Sequence, residues 1–221
     1  MADVKDNLEI IKSELGDQIT LVAVSKTKPN EDILEAYNAG HRDFGENKIQ
    51  EMTDKFEALP KDIRWHMIGH VQRNKVKYMA KYVHLIHAVD SLKLLKEINK
   101  RAQNEDRQIQ CLLQLKIAEE DSKFGLGKDE LMGILQSDNL KNFKHVKVVG
   151  LMGMATFTDD EAQIHREFSQ LENLYFELKD QYRFDTLSMG MSGDYKLALE
   201  HHSTMVRIGS KIFGKRKNSA W

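Results

Sequence analysis

Three groups of side chains in this sequence have types and neighbours that suit chemistry. The first is Lys26, where the apolar run Ile19-Thr20-Leu21-Val22-Ala23-Val24 gives way to Ser25-Lys26-Thr27-Lys28-Pro29. An ammonium at the carboxyl end of a buried strand is costly without a partner. A desolvated lysine has a lowered pKa, becomes a neutral amine and can form a Schiff base with an aldehyde. The alternative is a Lys26 that has left the strand and points into solvent. The second group is two glycine- and hydroxyl-rich stretches, Ser188-Met189-Gly190-Met191-Ser192-Gly193-Asp194 and Arg207-Ile208-Gly209-Ser210. Each precedes a short helical stretch, 194–201 and the single turn 211–214, so free backbone N–H groups and a hydroxyl can cradle a phosphate. Ser192 is placed to N-cap the first of these helices, and glycine lets an anion reach the backbone. Taken singly, each stretch is also an ordinary capped turn. The third group is His66, His70, His84 and His87. Gly69 marks a turn between His66 and His70, and no cysteine or carboxylate pair completes a ligand set. They read as members of a polar network, with no metal site.

The elements that must position these groups follow a regular alternation. Strands are expected at 19–24, 42–44, 64–68, 83–88, 110–115, 146–151, 186–188 and 205–208. Helices are expected at 3–15, 30–39, 48–58, 73–80, 92–103, 128–136, 160–181 and 194–201. The seventh helix is the clearest, with Ile164, Phe168, Leu171, Leu174 and Leu178 on one face. Strand–helix alternation implies parallel strands with right-handed crossovers, and eight such units point to an α/β fold, a closed (β/α)₈ TIM-type barrel with an extra N-terminal helix. An open doubly wound sheet is the alternative, but no Gly-x-Gly-x-x-Gly turn follows the first strand. In a closed barrel the eighth strand neighbours the first, so the phosphate cradle and Lys26 lie side by side. A phosphorylated aldehyde is then the natural ligand, and pyridoxal 5′-phosphate is the common cofactor of that kind.

Composition narrows the classes. The 221 residues carry 33 Lys+Arg against 34 Asp+Glu, a formal charge of -1, which gives no support to nucleic acid or an anionic membrane as a partner. The basic face of Arg73, Lys75 and Lys77, with Tyr78 and Lys81, reads as solvated surface, and the basic tail 215–221 as a solvated end. Cys111 is the sole cysteine, so no internal disulfide framework exists; it reads as a small buried hydrophobe in a reducing compartment. The charged start, Met1-Ala2-Asp3-Val4-Lys5-Asp6, lacks the apolar stretch of a signal peptide, and no apolar run reaches membrane-spanning length. The expectation is a cytoplasmic protein. Without a Gly/Ser-rich linker, residues 1–221 are expected to form one domain.

Five blocks in order, Ala23-Val24-Ser25-Lys26-Thr27-Lys28-Pro29, Phe44-Gly45-Glu46-Asn47, Trp65-His66-Met67-Ile68-Gly69-His70-Val71-Gln72-Arg73-Asn74-Lys75, Leu187-Ser188-Met189-Gly190-Met191-Ser192 and Met205-Val206-Arg207-Ile208-Gly209-Ser210-Lys211-Ile212-Phe213-Gly214, resemble the pyridoxal phosphate homeostasis proteins. That family is similar to the N-terminal barrel domain of alanine racemase standing alone. The resemblance spans nearly the whole chain. It implies that Lys26 carries pyridoxal 5′-phosphate as an internal aldimine, that Ser192, Gly209 and Ser210 meet the phosphate, and that Arg207 lies beside the pyridine nitrogen. Asn47 and Met191 would lie against the cofactor. Two departures, His201-His202 where the family usually has a glycine and Gly193 at an often acidic position, fall on no residue assigned a cofactor contact.

Apart from the resemblance, Arg207 could as well form a surface ion pair with Asp185 or Glu200. Beside the pyridine nitrogen, an arginine that does not lose its proton keeps that nitrogen unprotonated, so the ring is a poorer electron sink. Racemisation also needs an acid/base group on the second face of the α-carbon. In the racemases it comes from a C-terminal domain, which this chain, ending just after strand eight, is expected to lack. The six tyrosines fall in or beside expected helices and read as packing residues. No catalytic residue is therefore assigned. The expectation is a monomeric carrier in vitamin B6 homeostasis that holds the cofactor and releases it to apo-enzymes. The alternatives are a weak pyridoxal-phosphate-dependent amino-acid racemase and a phosphate-binding barrel without aldehyde chemistry.

Overall fold

Eight parallel strands pair in chain order, and the eighth pairs with the first, so the sheet closes on itself. The computed structural model describes residues 3–119 and 124–214. The elements are α1 (Val4–Leu15), β1 (Thr20–Val24), α2 (Asn30–Asn38), β2 (Asp43–Glu46), α3 (Ile49–Ala58), β3 (Arg64–Met67), α4 (Val76–Met79), β4 (Val83–Val89), α5 (Leu92–Asn104), β5 (Ile109–Gln114), α6 (Lys128–Leu135), α7 (Asp138–Asn142), β6 (Val146–Met152), α8 (Glu161–Tyr182), β7 (Thr186–Met191), α9 (Tyr195–Glu200), β8 (Met205–Ile208) and α10 (Ser210–Phe213). This is the expected α/β barrel, and the pairing of β1 with β8 excludes the open doubly wound sheet. The basic tail 215–221 lies outside the described residues.

Alternation along each strand separates two apolar layers. Val22, Leu85, Ala88, Leu112, Val149, Met152 and Met205 form a small cluster that lines the barrel. Leu21, Ala23, Phe44, Trp65, Met67, Leu113, Leu151, Leu187, Val206 and Ile208 belong to the larger cluster between sheet and helices. Five polar side chains share the inner layer: Asp43, His66, His87, Ser188 and Arg207, all buried.

The helices dock as their spacing dictates. Ile164, Phe168, Leu171, Leu174 and Leu178 of α8 are buried, and the Asp160 side chain caps the helix by accepting the Gln163 N–H. Two differences from expectation have local causes. α7 is too short to show a hydrophobic period, and it forms because the Ser137 hydroxyl accepts the Leu140 N–H. The expected helix 73–80 is a 3₁₀ turn, Arg73–Lys75, running into the single turn of α4. Arg73, Lys75, Lys77 and Lys81 on this segment are exposed. Cys111 is fully buried, and burial pushes its thiol pKa up. Among the described residues no helix is long and apolar enough to cross a membrane.

Phe168 is fully buried between α8 and the sheet. Phe168→Ala is expected to lower the unfolding free energy by about 3–5 kcal/mol in a denaturant titration; a loss below about 1 kcal/mol would mean that α8 does not dock as described.

Candidate functional site

Closure of the barrel decides what meets at its carboxyl end. Ala23 of β1 pairs with Ile208 of β8, and a Cβ on Gly209 would lie 3.1 Å from the Val24 carbonyl oxygen. Gly209 therefore abuts the segment that leads into Lys26. The Ser192 hydroxyl, just past β7, accepts the Gly209 N–H at 3.2 Å. Ser210 follows as the exposed first residue of α10. Lys28 Nζ donates to the carbonyls of Phe213 at 2.6 Å and Gly214 at 3.1 Å, which ties the Lys26 loop onto α10. Lys26, Ser192, Gly209 and Ser210 thus share one corner. Lys26 is half-buried at the mouth of the strand.

Asn47 and Met191 flank that corner. Val24 pairs with Gly45, so by register Asn47, two residues past Gly45, falls beside Lys26. Its peptide is fixed from the other side: a Cβ on Gly69 would sit 2.3 Å from the Asn47 carbonyl oxygen, so the turn after β3 needs glycine. The Met191 N–H donates to the Asp194 carboxylate at 2.6 Å. This corrects the expected role of Ser192. α9 starts at Tyr195 with Asp194 at its N-cap, and Ser192 bridges to β8 instead of capping.

Arg207 is buried, and its alternative assignment to a surface ion pair with Asp185 or Glu200 is overturned. Nη1 donates to the Ser188 hydroxyl, and Nη2 to the Gly153 carbonyl at 3.0 Å. Burial lowers its pKa to about 10, with Asp194 acting against the fall. It remains a cation at neutral pH.

Behind the Lys26 loop, between the sheet and α3, lies a charged cluster that the sequence did not reveal. Lys55 Nζ donates to the Ser25 carbonyl at 2.8 Å, to Glu46 at 2.8 Å and to Glu51 at 2.7 Å. The Ser25 hydroxyl donates to Glu46 at 2.6 Å, and the Thr27 N–H to Glu51 at 2.6 Å. The residues on both sides of Lys26 are therefore pinned. Thr27 itself adopts a left-handed φ of 64°, a conformation this anchoring holds in place. Burial pushes the Glu46 carboxyl up to about 7, although the Lys55 ammonium and the Ser25 hydroxyl oppose it. Its Oε2 has no partner among the described residues. One signal for Lys55 was present: with Ile49 and Met52 it occupies the buried face of α3, and Glu51 precedes it by one turn.

The histidines divide. His66 and His87 lie inside the barrel, whereas His70 stacks on Phe124 and sits 3.5 Å from Asp90. Asp43, His66 and His84 bring potential ligand atoms within 4.8 Å of one another. Arg64 bonds both oxygens of that carboxylate, so a cation there would have to displace a guanidinium. A groove of about 640 Å³ lies beside the ends of β3 and β4, away from the Lys26 corner. Arg73, Lys93, Asp90 and Glu97 line it with both signs of charge.

Comparison with known proteins agrees with this fold. Residues 1–217 match the family model described as alanine racemase, N-terminal domain. A pyridoxal phosphate homeostasis protein of Vibrio alginolyticus is 37% identical over 99% of this chain and 100% of its own length. That of Pasteurella multocida is 38% identical over 91% of this chain and 88% of its own. Among solved structures, PipY of Synechococcus elongatus with PLP bound superposes with a TM-score of 0.87 at 33% identity, covering 96% of this chain and 100% of that one. Alanine racemase of Clostridium difficile shares the fold, with a TM-score of 0.82 at 13% identity over 99% of this chain and 58% of that one.

The Lys55 cluster makes a signed prediction. Lys55→Met leaves Glu46 buried without its cation, and at about pH 8 the unfolding free energy is expected to fall by about 3–5 kcal/mol. A carboxyl whose folded pKa is raised loses stability as pH rises through that value, so the loss at about pH 5, where Glu46 is protonated, is expected to be smaller. Urea titrations at the two pH values check this, and equal losses would refute it.

Proposed function

The chain belongs to the alanine racemase N-terminal domain family, and on that premise we propose that it binds pyridoxal 5′-phosphate in vitamin B6 homeostasis, holding the cofactor reversibly on Lys26 and releasing it to apo-enzymes. The observation that supports the reading is the corner itself, where half-buried Lys26, just past β1, neighbours the Ser192–Gly209–Ser210 turn across the β1–β8 seam. The curated relatives of the same length carry the homeostasis name.

The residues present fit this group. An amine beside two hydroxyls and backbone N–H groups suits an aldehyde that also carries a phosphate. Arg207 has only N–H donors, so a ring nitrogen beside it must be an acceptor. Bound, the cofactor supplies an aldehyde to an amine and, with its ring unprotonated, a weak electron sink. Lys26 supplies the amine, Ser192, Gly209 and Ser210 hold the phosphate, and Arg207 faces the ring. Asn47 and Met191 would lie against the cofactor.

Carriage rather than turnover is part of the same proposal. Racemisation needs a second acid/base group opposite the lysine. The Tyr37, Tyr82, Tyr175 and Tyr195 hydroxyls are each bonded elsewhere, to Asp62, Thr53, the Phe184 carbonyl and Glu14 respectively. The same reading makes the working unit a monomer and places it in the cytoplasm.

Adding pyridoxal 5′-phosphate to the purified protein is expected to give a visible band that borohydride reduction fixes on the Lys26 peptide. Lys26→Ala should lose that band and keep its circular dichroism. Attachment at another lysine, or D-isomer formed at substantial rates from L-alanine or L-serine, would overturn the proposal.

A further inference from the structure

The five polar residues inside the barrel form an unbroken hydrogen-bonded line. Arg207 Nη1 of β8 donates to the Ser188 hydroxyl of β7. Ser188 Oγ lies 3.1 Å from His87 Nδ1 of β4, and His87 Nε2 lies 3.0 Å from His66 Nδ1 of β3. His66 Nε2 lies 3.0 Å from Asp43 Oδ1 of β2. Asp43 is the first residue of its strand, at the amino end of the barrel, where Arg64 also bonds it. The line therefore runs from the foot of the barrel to Arg207.

The ends fix the direction of every proton between them. A guanidinium can only donate and an ionised carboxylate can only accept. Ser188 therefore accepts from Arg207 and passes its own proton to His87 Nδ1. That nitrogen is bare, so His87 carries its proton on Nε2 and donates it to His66 Nδ1. His66 in turn carries its proton on Nε2 and donates it to Asp43. With both imidazoles neutral, all four bonds are satisfied at once.

The surroundings favour that state. His87 is fully buried, and burial, together with the charge of Arg207, holds its pKa well below the ordinary imidazole value. Burial also lowers that of His84, which stands beside His66, to about 4. Burial would raise Asp43, but hydrogen bonds from Arg64 and His66 hold it well below the usual carboxylate range. The other charged group facing Arg207 is Asp194.

We infer that Ser188, His87, His66 and Asp43 are positioning residues for Arg207, a one-way line that orients its guanidinium and ties it to a carboxylate across the barrel. Each donor in such a chain polarises the next, so charge at Asp43 strengthens the hold on Arg207. A carboxylate fixing an imidazole tautomer is the logic of hydrolytic triads, extended here by one histidine and one hydroxyl. The effect on the cofactor rests on the reading that Arg207 faces the pyridine ring; the line itself does not.

The first test uses the ligand-free protein. Imidazole ¹⁵N–¹H correlation spectra are expected to show His87 neutral with its proton on Nε2 between about pH 6 and 8, and a proton on His66 Nε2. A proton on His87 Nδ1, or titration of His87 in that range, would overturn the line whatever the protein binds. The second test follows release of pyridoxal 5′-phosphate from loaded protein. Ser188→Ala, which removes one hydrogen bond, and Asp43→Asn, which keeps an acceptor oxygen but removes the charge, are each expected to speed release by about threefold to tenfold, and Asp43→Asn to shift the His66 and His87 resonances. Arg64→Gln removes the other partner of Asp43 but none of the four bonds of the line, so release should change less than in Asp43→Asn. Release that is unchanged in Ser188→Ala, or changed as much in Arg64→Gln as in Asp43→Asn, would sink the positioning role. A parent protein that takes up no cofactor would refute the carrier reading alone.

Discussion

The pairing of β8 with β1 is the constraint on which the rest depends. Four register pairs, Thr20 with Met205 through Ala23 with Ile208, turn a row of strands into a closed wall. In an open sheet of the same strands in the same order, the first and last would lie at opposite edges, and Lys26 would face solvent far from Gly209. Closure makes them neighbours. It also removes both sheet edges, so none of the eight strands is left as an edge. The interior is then narrow enough that each inner side chain must be satisfied by others across the lumen.

Local features were legible in the sequence and long-range ones were not. The eight strands follow from alternation and from turn residues within a few positions. Lys26 and the glycine-rich turns at Ser192 and Gly209 stand out because strand ends are where such residues are unusual. The capping role given to Ser192 failed because a hydroxyl chooses its partner in space. Gly209, 17 residues later, was closer to hand than the helix start. The inner line was invisible for the same reason. Its links join residues 21, 23 and 101 positions apart, and nothing near His87 in sequence announces Ser188. Composition did narrow the histidines to a polar network, but which of them belonged to it depended on which face of a strand each occupied.

Two buried charged clusters, one on each side of the sheet, act on the same corner. The Lys55–Glu46–Glu51 cluster sits between sheet and helix and fixes the backbone around Lys26. The Asp43-to-Arg207 line sits within the barrel and fixes a guanidinium. Replacing such groups by apolar ones of the same shape is often neutral or stabilising. Their presence therefore calls for a reason other than stability, and the shared target supplies one. A backbone turn with φ of 64° at Thr27 and a buried arginine are both arrangements that apolar packing alone would not choose.

The two clusters also differ in how they respond to pH, and the difference follows from where each keeps its protons. Glu46 is buried with one oxygen unpartnered, and its carboxyl is pushed up to about 7, so the outer cluster changes charge near neutrality. The inner line ends in a carboxylate that two donors hold ionised and a guanidinium that stays charged despite burial, with the buried His87 imidazole held well below its ordinary pKa between them. Its two ends, Asp43 and Arg207, keep their charges as pH crosses neutrality. The backbone support of Lys26 is therefore the pH-sensitive part of the corner, and the orientation of Arg207 is the fixed part. On the proposed reading, in which Lys26 carries the aldehyde and Arg207 faces the ring, the support of the amine responds to pH while the guanidinium keeps its charge.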